Sequence, residues 1–300
     1  MKAARFSRFG GPDVLEIVDL PAPHAGPGEI RIKVRAAGVN ASDWKKRQGL
    51  MDQELPQTLG YEAAGVVDEL GAGVSGVALG DRVFGASAYG AAQAELSVLS
   101  YWAKTPESLA DTDAAAIPAA AETAARALDT LDVASGTTLF INGASGSIGS
   151  AAVQFAVARG VRVIGSASPV THERLRFLGA EPVAYGDGMS ARVHALAPTG
   201  IARALDVAGN SVLPELIEFT GSPERVVTIA DFVGARDNGV RFSRGDDGRA
   251  TYAFAQAATL ASEDRFSIPV GATFDLSEVA QAHRVGESGA VRGKLVLTVQ

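Results

Sequence analysis

The stretch GVNASDWKKRQG, residues 38–49, gathers a carboxamide (Asn40), a hydroxyl (Ser42), a carboxylate (Asp43) and an indole (Trp44) within five positions, after an alternating apolar run. Such groups can donate and accept hydrogen bonds at a reacting centre and, for the carboxylate, exchange a proton. The chain has no cysteine, and its four histidines lie far apart without ligand spacing. Thiolate nucleophiles, disulfides and cysteine-based zinc or iron–sulfur centres are therefore excluded, and no metal site is assigned.

A second chemical signal lies in TTLFINGASGSIGSAAVQFAVARG, residues 137–160. Leu139, Phe140 and Ile141 read as a buried strand, and Gly143, Gly146 and Gly149 follow at three-residue spacing. Ile148, Ala152 and Phe155 then recur as one helix face. Dinucleotide phosphates require this arrangement, because glycines let the backbone approach the pyrophosphate and a helix N-terminus offers free N–H groups and positive dipole. Gly143, Ser145, Gly146, Ser147, Ile148 and Gly149 are thus candidate cofactor-binding residues. An NAD site carries an acid about 20 residues beyond the first glycine, to bind the ribose 2′-hydroxyl. Here Ile164, Gly165, Ser166, Ala167 and Ser168 stand there, with no acid before Glu173. Hydroxyls and a nearby cation would hold a 2′-phosphate, so Ser166, Ser168 and either His172 or Arg174 point to NADP(H). Ser168 has an alternative role as the cap of a helix starting near Val170, and Arg174 as a solvated cation.

The elements that position these residues fall into three parts. Residues 1 to about 100 carry strand signals at Lys2–Phe6, Leu15–Val18, EIRIKVRAAGV, AAGVVDEL and DRVFG, punctuated by Gly and Pro. From about Leu109 the pattern turns to Ala-rich helix, then to strands alternating with helices through about Ser267, as in parallel βαβ units. A helix and a strand close the chain. The expected domains are 1–108 with 269–300, mainly β, and 109–268, α/β with a doubly wound parallel sheet.

Composition narrows the partners. Three hundred residues favour two domains, and 47% hydrophobic with 20% charged residues is ordinary globular composition. A net charge of −7 without a basic face argues against nucleic acid and anionic membrane as partners. No run approaches the roughly 18 apolar residues of a membrane span, and MKAARFSRFG lacks a signal-peptide apolar region, so a cytoplasmic location is expected.

Taken together, GVNASDWK, LGYEAAGVVDELGAGV, GDRVFG, GAAQAEL, AAAIPAAAETAARAL, NGASGSIGSAAVQFA, LGAEPVAY and RGKLVL make the chain resemble the zinc-free quinone oxidoreductases of the medium-chain dehydrogenase/reductase superfamily. The resemblance implies a GroES-like β domain, closed by the C-terminal segment and packed on a Rossmann domain, with the active site in the cleft. In zinc alcohol dehydrogenases of that superfamily, the turn matching GVN carries a cysteine ligand and the later GHE a histidine ligand. Asn40 and Tyr61 stand at those positions here, and the cysteine-rich structural-zinc lobe is missing. Without a Lewis acid, alcohol oxidation loses its main electrostatic device. Hydride delivered to a conjugated carbonyl places charge on a remote enolate oxygen, which neutral donors can stabilise.

The implied activity is NADPH-dependent reduction of a quinone or α,β-unsaturated carbonyl. Asn40 would lie near the nicotinamide or its ribose, or else be a turn residue after a strand. Tyr61 is the candidate donor to the substrate oxygen. Asp43 either caps a short helix or touches substrate, and Trp44 packs. By resemblance Thr123 contacts the nicotinamide carboxamide and Tyr185 approaches the adenosine phosphate, with a core tyrosine as the alternative. Glu122 departs from the small or apolar residue usual before that threonine. Two alternatives stand beside this reading, an enoyl-thioester reductase and a non-catalytic NADPH-binding protein. The former would need a basic groove for a phosphorylated carrier. A homodimer is expected, with GVRFSRG as the exposed edge strand of the Rossmann sheet.

Overall fold

The computed structural model describes residues 1–87, 89–245 and 248–299. These form two compact units, Met1–Ala119 with Phe254–Gln300, and Ala120–Ala253. The sequence pattern changes instead at 108/109 and 268/269. It registers where strand spacing gives way to helix spacing, whereas compactness registers the side on which each helix packs.

In chain order the first unit begins with β1 (Lys2–Phe6), β2 (Glu16–Asp19), β3 (Ile30–Val39), α1 (Ala41–Arg47), β4 (Gln57–Thr58), β5 (Glu62–Leu70), β6 (Arg82–Ala86), β7 (Leu96–Leu99), β8 (Tyr101–Lys104) and α2 (Asp111–Ala115). The helix α3 (Pro118–Leu131) runs into the second unit, which holds β9 (Thr138–Asn142), α4 (Ser147–Ala158), β10 (Arg162–Ala167), α5 (His172–Phe177), β11 (Ala180–Ala184), α6 (Met189–Leu196), β12 (Arg203–Asp206), α7 (Leu213–Thr220), β13 (Val226–Thr228), α8 (Phe232–Asn238) and β14 (Arg241–Phe242). The chain returns to the first unit through α9 (Ala253–Ser262), β15 (Val270–Asp275), α10 (Val279–Ser288) and β16 (Lys294–Thr298).

The first unit is β-rich. One sheet runs β2-β1-β4, and another runs β15-β16-β3-β5-β6-β8, with β7 also on β3. β3 is the spine. Ile30, Ile32 and Val34 are buried and alternate with polar residues, as period-2 patterning requires, but Ala36 to Val39 are buried without alternation. β5 lies along one edge, while β7 takes Ile30–Lys33 and β16 takes Ala36–Val39 on the other, and α2 and α10 pack against the strand. Asn40 therefore leaves the sheet from a fully covered strand end. Lys294, the first residue of β16 and one before the first that pairs with β3, comes alongside it.

The second unit has a six-stranded parallel sheet in the order β11-β10-β9-β12-β13-β14. Numbered from β9, this is the 3-2-1-4-5-6 order of a dinucleotide-binding sheet, whose order reverses between β9 and β12. Leu139, Phe140 and Ile141 are fully buried, as a central parallel strand demands. α4 presents more than one apolar face, since every residue from Gly149 to Phe155 and Ala156 is buried. The helix expected near Val170 begins at His172, after a single tight turn at Pro169–Thr171.

Candidate active site

In the first unit, Asn40 is the N-cap of α1, with extended backbone at φ −124° and ψ 159°. Its N–H donates to Asp43 Oδ2 at 2.7 Å, and its carbonyl accepts from the Asp43 N–H at 3.0 Å. The carboxamide is engaged elsewhere. Nδ2 donates to Glu62 Oε1 at 2.8 Å, and Oδ1 accepts from Lys294 Nζ. Glu62 and Lys294 form an ion pair with side chains 1% and 5% exposed. Burial makes such a pair costly unless its other lone pairs are filled. Here Glu62 Oε2 accepts from the Ala119 N–H at 2.7 Å. Gly38 makes room for the carboxylate, because a Cβ there would lie 2.3 Å from Glu62 Oε1.

Asp43 is fully buried, and burial pushes its carboxyl up to about 7, against the pull of the Asn40 N–H and the Lys294 charge. Its Oδ2 also faces Gln93 Nε2 at 3.3 Å. Of the two roles open to Asp43, the geometry in place is that of a helix cap. Tyr61 is half-buried, and the Lys46 ammonium sits 4.8 Å from its ring centroid. Its hydroxyl makes no hydrogen bond among the described residues, which leaves it available as a donor. Trp44 packs edge-on against His283, ring centroids 6.2 Å apart.

In the second unit the three glycines meet three different demands. Gly143 is left-handed at φ +82°, and a Cβ there would lie 2.7 Å from the Ala208 Cβ. A Cβ on Gly149 would come 2.2 Å from the Gly143 carbonyl oxygen, so helix and strand approach only because that atom is missing. Gly146 is exposed, with nothing nearer to a Cβ than 3.7 Å. Its open backbone face at the start of α4 is what a pyrophosphate requires, so the loop fits a dinucleotide. Ser145, Ser147 and Ile148 stand half-buried around it.

One candidate faces inward. Ser166 is 1% exposed, its hydroxyl donates to Asn142 Oδ1 at 2.7 Å, and it accepts the Gly143 N–H at 3.0 Å. Its proton is committed inside the sheet and one lone pair takes the Gly143 N–H, so in this geometry the hydroxyl supports the loop. Strand alternation alone could not show this. Ser168, two residues on, is half-buried at the end of β10, and its side chain forms no capping hydrogen bond. Arg174 is half-buried on α5, where desolvation lowers the affinity of its guanidinium for the proton. The His172 ring sits 3.2 Å from the Ala167 carbonyl. Tyr185, just after β11, is 63% exposed, which removes the core-tyrosine alternative.

Thr123 is half-buried on α3. The adjacent Glu122 is buried and paired with Arg126 at 2.8 Å, one turn along the helix. It also accepts the Ala250 N–H at 3.2 Å, while Arg126 donates to Ser243 Oγ at 2.7 Å. The unexpected charge is thus a clasp on the segment after β14. Sequence reasoning missed Glu62, Lys294 and Arg126 as members of these clusters. The available signal was a charged residue beside an apolar strand, Glu62 before AAGVV and Lys294 before LVL. Among the described residues no group of three or more His, Asp or Glu is arranged to hold a metal ion.

This architecture and its glycine loop are of the kind found in dinucleotide-dependent dehydrogenases and reductases, and comparison with known proteins places the chain among their relatives. Residues 26–102 match the alcohol dehydrogenase GroES-like domain, and residues 178–297 match the zinc-binding dehydrogenase family. The quinone oxidoreductase from Coxiella burnetii is 31% identical, with all of this chain and 99% of that one aligned at a TM-score of 0.86. A mycobacterial protein solved in complex with NADPH is 26% identical over 99% of this chain and 100% of that one, at a TM-score of 0.80. The polyketide synthase protein NorB of Streptomyces orinoci is 31% identical over 98% of this chain but 14% of its own length. The chain spans about half the length of the curated quinone oxidoreductases it matches, 53–55%. The chain belongs to the medium-chain dehydrogenase/reductase superfamily, in its quinone oxidoreductase-like branch. Nicotinamide cofactor binding is typical of that superfamily.

Proposed function

We propose that the protein is an NADPH-dependent reductase that transfers hydride to a quinone or an α,β-unsaturated carbonyl without zinc. The observation that carries this reading is the loop from Gly143 to Gly149, where each glycine meets a separate demand of a dinucleotide. Residues 109–268 would form the cofactor domain, and residues 1–108 with 269–300 the catalytic one. The preference for NADPH is supported by the lack of any carboxylate from Ile164 to His172. Ser168 and Arg174 remain to receive the 2′-phosphate, with Tyr185 beside the adenosine phosphate.

When bound, the dinucleotide supplies the hydride. The loop N–H groups and the start of α4 would hold its phosphates, and Thr123 would receive the nicotinamide carboxamide. Asn40, held from both ends by Glu62 and Lys294, has a fixed carboxamide that would contact the nicotinamide or its ribose. Tyr61 donates its phenolic proton in a hydrogen bond to the substrate oxygen, and water supplies the proton for the α-carbon.

The match to a polyketide synthase supports a second reading, reduction of an enoyl thioester, against which the net charge of −7 weighs. The partners would be a small-molecule carbonyl or quinone and, through the β14 edge, a second copy of the chain in a cytoplasmic homodimer. Calorimetric titration should give NADPH at least about a tenfold advantage over NADH, roughly 1.4 kcal/mol. Equal affinities would remove the argument for NADPH. A screen of quinones, enals and enoyl thioesters, followed by NADPH absorbance, separates the two substrate classes.

A further inference from the structure

Three adjacent strands of the parallel sheet, β9, β12 and β13, each end in a polar residue, and Ser166, the last residue but one of β10, lies in register with them. Ser166 on β10 lies beside Asn142 on β9, Asn142 beside Asp206 on β12, and Asp206 beside Thr228 on β13. All four are buried. They make one continuous rung. Ser166 Oγ donates to Asn142 Oδ1 at 2.7 Å, Asn142 Nδ2 to Asp206 Oδ1 at 2.8 Å, and Thr228 Oγ1 to Asp206 Oδ2 at 2.7 Å.

The remaining acceptors hold the backbone of the turns that follow. The Gly143 N–H donates to Ser166 Oγ at 3.0 Å. Ala208 and Gly209 donate to Asp206 Oδ1 at 3.1 and 2.8 Å, and Ala230 and Asp231 to Thr228 Oγ1 at 3.0 and 3.1 Å. An apolar rung would pack with less desolvation but could accept none of these amides. The turn after β12 needs such support. Gly209, Asn210 and Ser211 are left-handed in succession, at φ 75°, 67° and 56°, which is strained for the last two and persists only where the surroundings over-determine it. That turn also abuts the glycine loop, since Ala208 stands where a Gly143 side chain would be.

We infer that Asp206 is the keystone of a positioning device: with Asn142, Ser166 and Thr228 it fixes the glycine loop and the turns after β12 and β13 in the geometry that receives the dinucleotide, without touching it. The inference rests on the cofactor reading above. The rung crosses from β9 to β12, where the strand order reverses and such sheets open a crevice for ligand. Every donor to Asp206 in this rung is neutral, so Asn at 206 would set an amide donor against the donors of Asn142 or Thr228.

The test is calorimetric titration of NADPH and NADH against the wild type, Ser166→Ala, Thr228→Val and Asp206→Asn. Amide hydrogen exchange at 143–149 and 207–211 is measured in parallel, without cofactor. Ser166→Ala should weaken both dinucleotides by the same factor, about tenfold, the worth of one hydrogen bond. Thr228→Val should speed exchange at 207–211 although residue 228 lies outside that turn. Unchanged affinities would overturn the inference, as would unchanged exchange. A loss confined to NADPH would also overturn it, because Ser166 would then touch the 2′-phosphate. Should wild type bind neither dinucleotide, the cofactor reading fails while exchange still decides the rung. Ser166→Ala and Thr228→Val remove hydroxyls with little change of shape, so they keep the test alive even where Asp206→Asn does not fold.

Discussion

The Lys294 ammonium donates to the Asn40 carboxamide oxygen across 254 positions of sequence, and the same ammonium neutralises Glu62. Orientation of the candidate nicotinamide contact and neutralisation of a buried carboxylate thus rest on one side chain. Lys294→Met should cost about 3–5 kcal/mol, because it strands Glu62 as an uncompensated buried charge. Adding Glu62→Gln should recover most of that loss. Urea unfolding of both single variants and the double variant checks this, and additive losses would rule the pairing out.

Losing a donor aimed at developing charge costs about 10²–10³ in rate where water is excluded. For Tyr61→Phe we expect on the order of tenfold, since water can substitute for a half-buried hydroxyl. Asn40→Ala should cost more, because misplaced reactants lose hydride-transfer geometry directly. NADPH affinity should stay nearly constant in both. Single-turnover oxidation of bound NADPH by a small quinone is the measurement, and wild-type rates in both variants would return these residues to a structural role.

Two buried groups give opposite pH dependences. Asp43 is pushed up to about 7, so between about pH 4 and 7 the folded chain holds a proton that the unfolded chain has released, and stability falls as pH rises. His283 is pushed down to about 3 by burial and the Arg47 charge, so between about pH 3 and 6.5 the unfolded chain binds the extra proton, and stability rises with pH. The wild type therefore shows a muted slope in the overlap. Asp43→Asn keeps a cap acceptor for the Asn40 N–H and should gain on the wild type by a few kcal/mol as pH climbs to about 7, then by no more. Urea midpoints across that range check this. A gain independent of pH would remove Asp43 as its source.

Glu122→Ala leaves the Arg126 guanidinium, 12% exposed, without its carboxylate and releases the Ala250 N–H. A loss of up to about 3–5 kcal/mol is expected, and a smaller one for Glu122→Gln, which can still accept that N–H. Thermal unfolding of the two variants should rank them in that order. The reverse order would show that an acceptor for the Ala250 N–H contributes nothing at that position.

The sequence made the glycine loop legible because each constraint on it is local: a strand, a tight turn and a helix start within 20 residues. The β-rich unit was legible for the same reason, through the alternation of Ile30, Ile32 and Val34. What stayed hidden depends on register between distant strands. Nothing near RGKLVL announces that Lys294 ends beside Asn40, and that neighbourhood arises only when β16 takes the last four residues of β3. The inward bonds of Ser166 stayed hidden for the same reason, because its partners, Asn142 and the Gly143 N–H, are set by the β9–β10 register. Glu122 stood out as an anomaly, but its answer lay in Ser243 and Ala250, more than a hundred residues away.

The edge of β3 from Ala36 to Val39 is covered by β16, a strand that follows the whole of the second unit in the chain. During translation this apolar edge leaves the ribosome early and must wait for the whole of the second unit before its partner exists. At about 5–20 residues per second, that wait is of order tens of seconds. Glu62 lacks its cation for the same interval. The continuous second unit can close first, while the nascent first unit carries an unpaired strand edge of the kind that recruits other chains. A chaperone that shields residues 36–39 of the nascent chain would therefore matter more to the yield of this protein than one acting on the finished sheet.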